Sequence, residues 1–201
     1  MKTILFLTNN LDQTKPLLDF LQRQKNVKTI LFDRKLTLDV LKKIKPDLIV
    51  SYSFSFLITQ EAIDFSKGRI LNLHISYLPY NRGADPNIWS ILEGTPSGVT
   101  IHLVDKGLDT GDIVFQREVE LSGEDTLESS YGRLQREIQR LFIANFTRIK
   151  NWQIKPRRQV GEPTFHLKKD FECFKSVIEP EGYSITISEL KKRFKVLKNE
   201  N

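Results

Sequence analysis

Apolar and polar positions alternate along the first half of the chain in two rhythms. Residues 2–8 are a nearly unbroken apolar run (Ile4, Leu5, Phe6, Leu7), as expected of a strand buried on both faces. Asn9 and Asn10 end it. Residues 11–24 then change to helical spacing, with Leu17, Leu18, Phe20 and Leu21 turned inward. The same exchange repeats: strands at 27–32, 47–52 and 69–74, and helices at 36–44 and 58–65. Strands alternating with helical stretches predict an α/β fold, a Rossmann-like, mostly parallel sheet flanked by helices.

The second half is less regular. Asp85-Pro86 opens a helix with Pro in its first turn, Ile88, Trp89, Ile91 and Leu92 form its apolar side, and Gly94 closes it. Residues 98–105 and 113–121 alternate as strands, joined by a loop with glycines at Gly107 and Gly111. A capped start at Asp125-Thr126-Leu127-Glu128 leads into one long amphipathic helix, marked by Leu127, Tyr131, Leu134, Ile138, Leu141, Phe142 and Ile149. The irregular, basic stretch 156–163 predicts a boundary between a catalytic domain, 1–155, and a short C-terminal extension, 156–201. In that extension, residues 188–197 form a helix with Leu190, Phe194 and Leu197 on one side.

Composition narrows the classes. The 39% hydrophobic and 28% charged content is that of an ordinary globular domain. A single cysteine, Cys173, excludes an internal disulfide framework and a thiolate zinc site. No apolar segment reaches membrane-spanning length, and residues 1–8 lack a signal peptide's cleavage pattern, so a cytoplasmic protein is expected. The net charge is +6; residues 151–201 hold 11 Lys and Arg against 7 Asp and Glu, so the last quarter of the chain carries most of the excess. That balance suits phosphorylated ligands without requiring nucleic acid. The first strand–helix junction, Thr8-Asn9-Asn10-Leu11-Asp12, carries no glycine, which removes the dinucleotide fingerprint and the P-loop.

The chemistry concentrates at residues 71–79. On the strand through Leu71-Asn72-Leu73-His74, Asn72 and His74 share one face. The chain leaves through Ser76, Pro79 and Gly83, which places both at the strand's carboxyl end, where open α/β sheets bind ligands. An amide donor beside an imidazole suits acyl transfer: Asn holds a developing oxyanion and His takes a proton. Asp109, in Leu108-Asp109-Thr110-Gly111-Asp112, taken by itself reads as a turn carboxylate bonded to its own backbone, and Asp112 is expected to serve the loop's structure. His102 alternates with apolar neighbours and is expected as a sheet-face residue; His166 is expected at the surface and Trp89 in packing.

With Asn72-x-His74, Ser76-x-Leu78-Pro79, Arg82-Gly83 and Leu108-Asp109-Thr110-Gly111-Asp112 in this order, the chain resembles the folate-dependent formyltransferases. The resemblance covers residues 45–120 through these motifs and the first 45 by fold pattern. It implies Asn72, His74 and Asp109 as the catalytic residues and 10-formyltetrahydrofolate as formyl donor, with no metal. It places the pterin against residues 53–58 and the Asp-bearing loop, making Phe54, Ser55, Phe56, Leu57, Asp105 and Gly107 the donor-binding candidates.

Within that superfamily, the run from His74 to Asn87 and the segment Thr164-Phe165-His166-Leu167-Lys168-Lys169-Asp170 look most like the N-formyltransferases of nucleotide-linked amino sugars, the latter resembling their post-core hairpin. Tyr77 and Arg82 become the substrate-binding candidates, Arg82 because a guanidinium grips phosphate in a bidentate way. The partners implied are a nucleotide-linked amino sugar and reduced folate, neither nucleic acid nor membrane, with room for a homodimer. Glycinamide ribonucleotide and methionyl-tRNA as acceptors, and hydrolysis of the formylated folate, stay open as alternatives.

Overall fold

The chain begins with β1 (Lys2–Leu7), α1 (Leu11–Gln22), β2 (Val27–Phe32), α2 (Leu38–Ile44), β3 (Leu48–Tyr52), α3 (Gln60–Phe65) and β4 (Ile70–His74). It continues through β5 (Arg82–Gly83), α4 (Pro86–Glu93), β6 (Gly98–Leu103), β7 (Ile113–Glu118), α5 (Leu127–Ala144) and α6 (Phe146–Lys150). β8 (Phe165–His166), α7 (Lys168–Glu172) and α8 (Ile187–Asn199) complete it. This is a computed structural model that describes residues 1–172 and 175–199; Cys173 lies outside the described residues.

The expected α/β architecture holds. Six strands form a sheet in the order β2-β1-β3-β4-β6-β7, in which β1 pairs in parallel with β2 and β3, and β3 with β4. β6 runs antiparallel to β4. The hydrophobic runs sit where the topology needs them. β3 is buried at every position and β1 from Ile4 onward, whereas β2, with a neighbour on one side only, is mostly half-exposed. Because β1 lies between β2 and β3, the strand order reverses direction there and leaves a crevice at the carboxyl ends of β1 and β3.

Helix ends follow side-chain chemistry. Thr37 and Thr59 each accept a hydrogen bond from the backbone N–H three residues on, so α2 and α3 begin later than apolar spacing alone suggests. At α5, Thr126 Oγ accepts from Ser129 N at 3.0 Å while Ser129 Oγ accepts from Thr126 N at 2.9 Å, a reciprocal box closed by Ser129. The single long helix expected through Ile149 is interrupted at Asn145, and Ile149 belongs to α6. The hairpin expected at 164–170 is instead the two-residue β8, paired in parallel with β5 and followed directly by α7.

Two compact units share the chain. The first comprises residues 1–74, 100–115 and 138–159, the second residues 75–99, 116–137 and 160–201. In the first, Leu5, Leu7, Leu41, Ile49, Ala62 and Ile70 belong to one buried apolar cluster. In the second, Trp89, Leu127, Ile185, Ile187, Leu190 and Phe194 belong to another, which gives the apolar side of α8 its partners.

Candidate active site

The polar face of β4 is the starting point. Cross-strand register sets Asn72 opposite His102 and His74 opposite Thr100, and since strand side chains alternate, these four residues share one face. His102 is therefore more than the sheet-face residue its spacing suggests: it is 2% exposed and its ring touches the Asn72 amide. Alternation in the sequence shows which face of its own strand His102 takes. Only the pairing of β4 with β6 shows whose neighbour it is.

Asp109 arrives on the loop between β6 and β7. Asp105 Oδ1 accepts hydrogen bonds from Gly107 N at 3.0 Å and Thr110 Oγ at 2.5 Å. A Cβ on Gly107 would stand 2.1 Å from Thr110 Oγ, and one on Gly111 1.8 Å from Leu103 O, so both positions require glycine for space. Leu103 N–H donates to the Asp112 carbonyl oxygen at 2.9 Å. Asp109 itself sits at φ +54°, a left-handed conformation uncommon for a residue with a Cβ.

The carboxylate of Asp109 meets three side chains. Asn72 Nδ2 donates to its Oδ1 at 3.1 Å, His102 Nε2 lies 3.4 Å from the same oxygen, and His74 Nδ1 lies 3.7 Å from Oδ2. His102 Nδ1 is 2.8 Å from Leu103 O, and a carbonyl can only accept, so Nδ1 carries hydrogen. In the neutral ring Nε2 then bears the lone pair and accepts from Asn72 Nδ2 at 3.2 Å. In that tautomer the Asn72 amide directs its two hydrogens at two acceptors, an imidazole nitrogen and a carboxylate oxygen. The expected catalytic residues Asn72, His74 and Asp109 are brought together, with His102 as a fourth member.

The donor-binding candidates divide by role. Asn9 Oδ1 accepts from both Ser55 N and Ser55 Oγ at 2.9 Å, and Asn9 N donates to Ser53 O at 2.9 Å, tying the 53–57 loop across the crevice to the end of β1. Phe54 leans on the apolar cluster of its unit, with its ring centroid 5.5 Å from that of Phe56. Phe56 and Leu57 are exposed, as is Leu108 beside Asp109. Asp105 and Gly107 shape the Asp109 loop. Among the described residues no cluster of three His, Cys, Asp or Glu is arranged to hold a metal ion.

Tyr77 and Arg82 belong to the second unit. Tyr77 packs on Gly98, where an added Cβ would come 2.9 Å from its ring, and Arg82 N–H donates to Thr164 O at 3.0 Å. His166, expected at the surface, is instead stacked on Trp89 with ring centroids 3.8 Å apart and planes 5° from parallel, and its Nε2 lies 3.0 Å from Glu93 Oε1.

The sequence model of the formyl transferase family matches residues 3–145. The chain belongs to that family. It is 38% identical over 141 residues to a methionyl-tRNA formyltransferase of Clostridium botulinum, a match covering 70% of this chain and 45% of the relative. The chain thus spans about half the length of the curated relatives it matches. A crystal structure of the formyltransferase PseJ from Anoxybacillus kamchatkensis, in complex with UDP-4,6-dideoxy-4-formamido-L-AltNAc and tetrahydrofolate, is similar at a TM-score of 0.84 and 35% identity. That match covers 95% of this chain and 99% of the other. A likely sugar N-formyltransferase from Mycobacterium tuberculosis is similar at a TM-score of 0.76 and 30% identity, covering 87% and 79% of the two chains.

Proposed function

We propose that this formyltransferase moves the formyl group of 10-formyltetrahydrofolate onto the primary amine of a nucleotide-linked amino sugar. The observation that carries the chemistry is the Asn72–His102–Asp109–His74 cluster, a polarised amide beside two imidazoles and a carboxylate. For the amino sugar, the support is the likeness, at a TM-score of 0.84 and 35% identity, to the Anoxybacillus formyltransferase whose structure holds UDP-4,6-dideoxy-4-formamido-L-AltNAc and tetrahydrofolate.

The donor supplies a formyl carbon bound to nitrogen; the acceptor amine adds there, a new C–N bond replaces the old one, and a surplus proton must leave the amine. His74 takes that proton, Asp109 across from Nδ1 stabilises the imidazolium that results, and the proton then passes to the folate nitrogen as its bond to the formyl carbon breaks. Asn72 donates to the formyl oxygen as negative charge grows on it. To do so it must release one of its present acceptors. The charged Asp109 holds a hydrogen more strongly than neutral His102, so His102 is the partner exchanged. Phe56, Leu57 and Leu108 offer exposed apolar surface on loops whose backbones are pinned, which fits a flat, partly apolar pterin. Residues 1–155 carry this chemistry in the proposal, with Tyr77 and Arg82 holding the nucleotide sugar and 156–201 as an extension.

The test is incubation with 10-formyltetrahydrofolate and a panel of UDP- and dTDP-linked amino sugars, read by mass spectrometry for a gained formyl group. A UDP-linked 4-amino sugar is expected to turn over best. Faster formylation of charged initiator tRNA or glycinamide ribonucleotide would overturn the acceptor and keep the chemistry. Formate release at the same rate with and without amine would make the protein a hydrolase.

A further inference from the structure

We infer that Gln159, from the segment beyond α6, is a positioning residue for Asp109; the inference rests on the formyl-transfer function proposed above. Gln159 Nε2 donates to Asp109 O at 2.8 Å and to Gly111 O at 2.8 Å, committing both of its amide hydrogens to one turn of the loop. The chain is brought there by a backbone pair two residues earlier, Ile113 N–H to Arg157 O at 2.8 Å and Arg157 N–H to Ile113 O at 2.9 Å. The two carbonyls that Gln159 grips flank Thr110, and the first of them belongs to the residue whose backbone sits at φ +54°.

That conformation needs an external hold. A left-handed residue with a Cβ lies about 1–2 kcal/mol above its right-handed form, and Gln159 holds the carbonyl of that residue directly, while the bonds to Asp105 come from Gly107 and Thr110. The carboxylate's place is set by that φ. If Asp109 relaxed, Oδ1 would leave Asn72 and Oδ2 would leave His74 together, since both contacts hang from one Cα–Cβ bond. A side chain 50 residues away in sequence therefore decides whether the carboxylate faces the imidazole. Gln159 touches none of the reacting groups, and its effect must pass through Asp109.

The experiment compares Gln159→Glu and Gln159→Ala, each alone and combined with Asp109→Ala. Glu has nearly the same shape but, ionised, offers only acceptors to two carbonyls. Hydrogen–deuterium exchange, which needs no substrate, is expected to rise in residues 106–112 of both single variants while β1, β3 and β4 stay protected. Turnover is expected to fall about 10²-fold, the scale of a catalytic group misplaced by about an ångström, with KM for the amine changed far less than kcat. In the Asp109→Ala background the Gln159 substitutions should cost nothing further. Unchanged exchange in the loop would overturn the inference, as would losses that multiply in the double variants. If the wild-type protein formylated no acceptor at all, the proposed function would fall, and the exchange measurement would still decide whether Gln159 holds the loop.

Discussion

Two clusters in this protein use the same three chemical groups, an amide, an imidazole and a carboxylate, and they hold them differently. In the first unit Asn72, His74, His102 and Asp109 meet at the end of β4. In the second, Asn81, His166 and Glu93 meet beneath β5 and β8, with Thr95 and Thr164. Asn81 is fully buried; its Nδ2 donates to Glu93 at 3.1 Å and its Oδ1 accepts from Thr95 Oγ at 2.8 Å, while its backbone N–H reaches Thr164 Oγ at 2.8 Å. His166 is clamped against Trp89. Asn72, by contrast, is half-exposed, and the carboxylate near it stands 3.4 and 3.7 Å from the two imidazoles. The three chemical groups are common to both. What separates a site from a brace is whether the side chains are closed on one another by short bonds or stand far enough apart, on a fixed backbone, to exchange partners with a ligand.

The sharpest way to break the comparison is to remove one member at a time. Asn72→Ala, His74→Ala and Asp109→Ala are each expected to leave a folded protein with turnover down by about 10²–10⁴, the range for a lost oxyanion donor or general base. His102→Gln, which keeps an acceptor near the Asn72 amide, should cost about tenfold, one hydrogen bond's worth of alignment. Steady-state rates beside circular dichroism check both. A loss at His102 equal to that at His74, with folding intact, would make His102 the proton acceptor and demote His74.

Much of the first unit was legible in the sequence because its signals are local. The apolar runs at β1 and β3 and the Asn72-x-His74 alternation depend on neighbours one or two residues away, and period two decides faces unaided. The place of His102 beside Asn72 was not legible, because it depends on which strand lies opposite and in what register, information that no window on β6 contains. The same holds for Gln159 and for His166, whose partners lie 50 and more than 70 residues away. The break at Asn145 was hidden for another reason: Asn145 Nδ2 donates to Leu141 O at 2.9 Å, so a polar side chain closes the helix end without the glycine that usually marks one.

The closed cluster should respond in stability rather than rate. Asn81→Ala leaves Thr95, Thr164 and Glu93 without a shared partner in a fully buried position. About 2–3 kcal/mol of unfolding free energy should be lost, the cost of stranding buried polar groups. Urea denaturation measures it. Turnover per folded molecule should change far less than in Asn72→Ala, and a variant as stable as the wild type but inactive would show that this second cluster, too, does chemistry.

The smallest expected effect lies at the start of α4. Asp85 has φ +50° and its side chain makes no cap bond, while burial pushes its carboxyl above the usual carboxylate range; Lys168 opposes that shift and Glu172 adds to it. An acid whose pKa is raised on folding favours the folded state only while protonated. The contribution is therefore fully present below the unfolded value of 3.8 and lost as pH rises through the folded one. At neutral pH Asp85 is then a net cost. Asp85→Asn removes the charge, and Asn tolerates the left-handed backbone as well as Asp does. It should stabilise the protein at pH 7 by under about 1 kcal/mol, since the site is half in solvent and screened. The gain should shrink toward zero near pH 3. Thermal melts of both proteins across that range decide it: a gain that persists in acid would assign the effect to backbone geometry, and a loss at pH 7 would mean that the attraction of Lys168 outweighs burial.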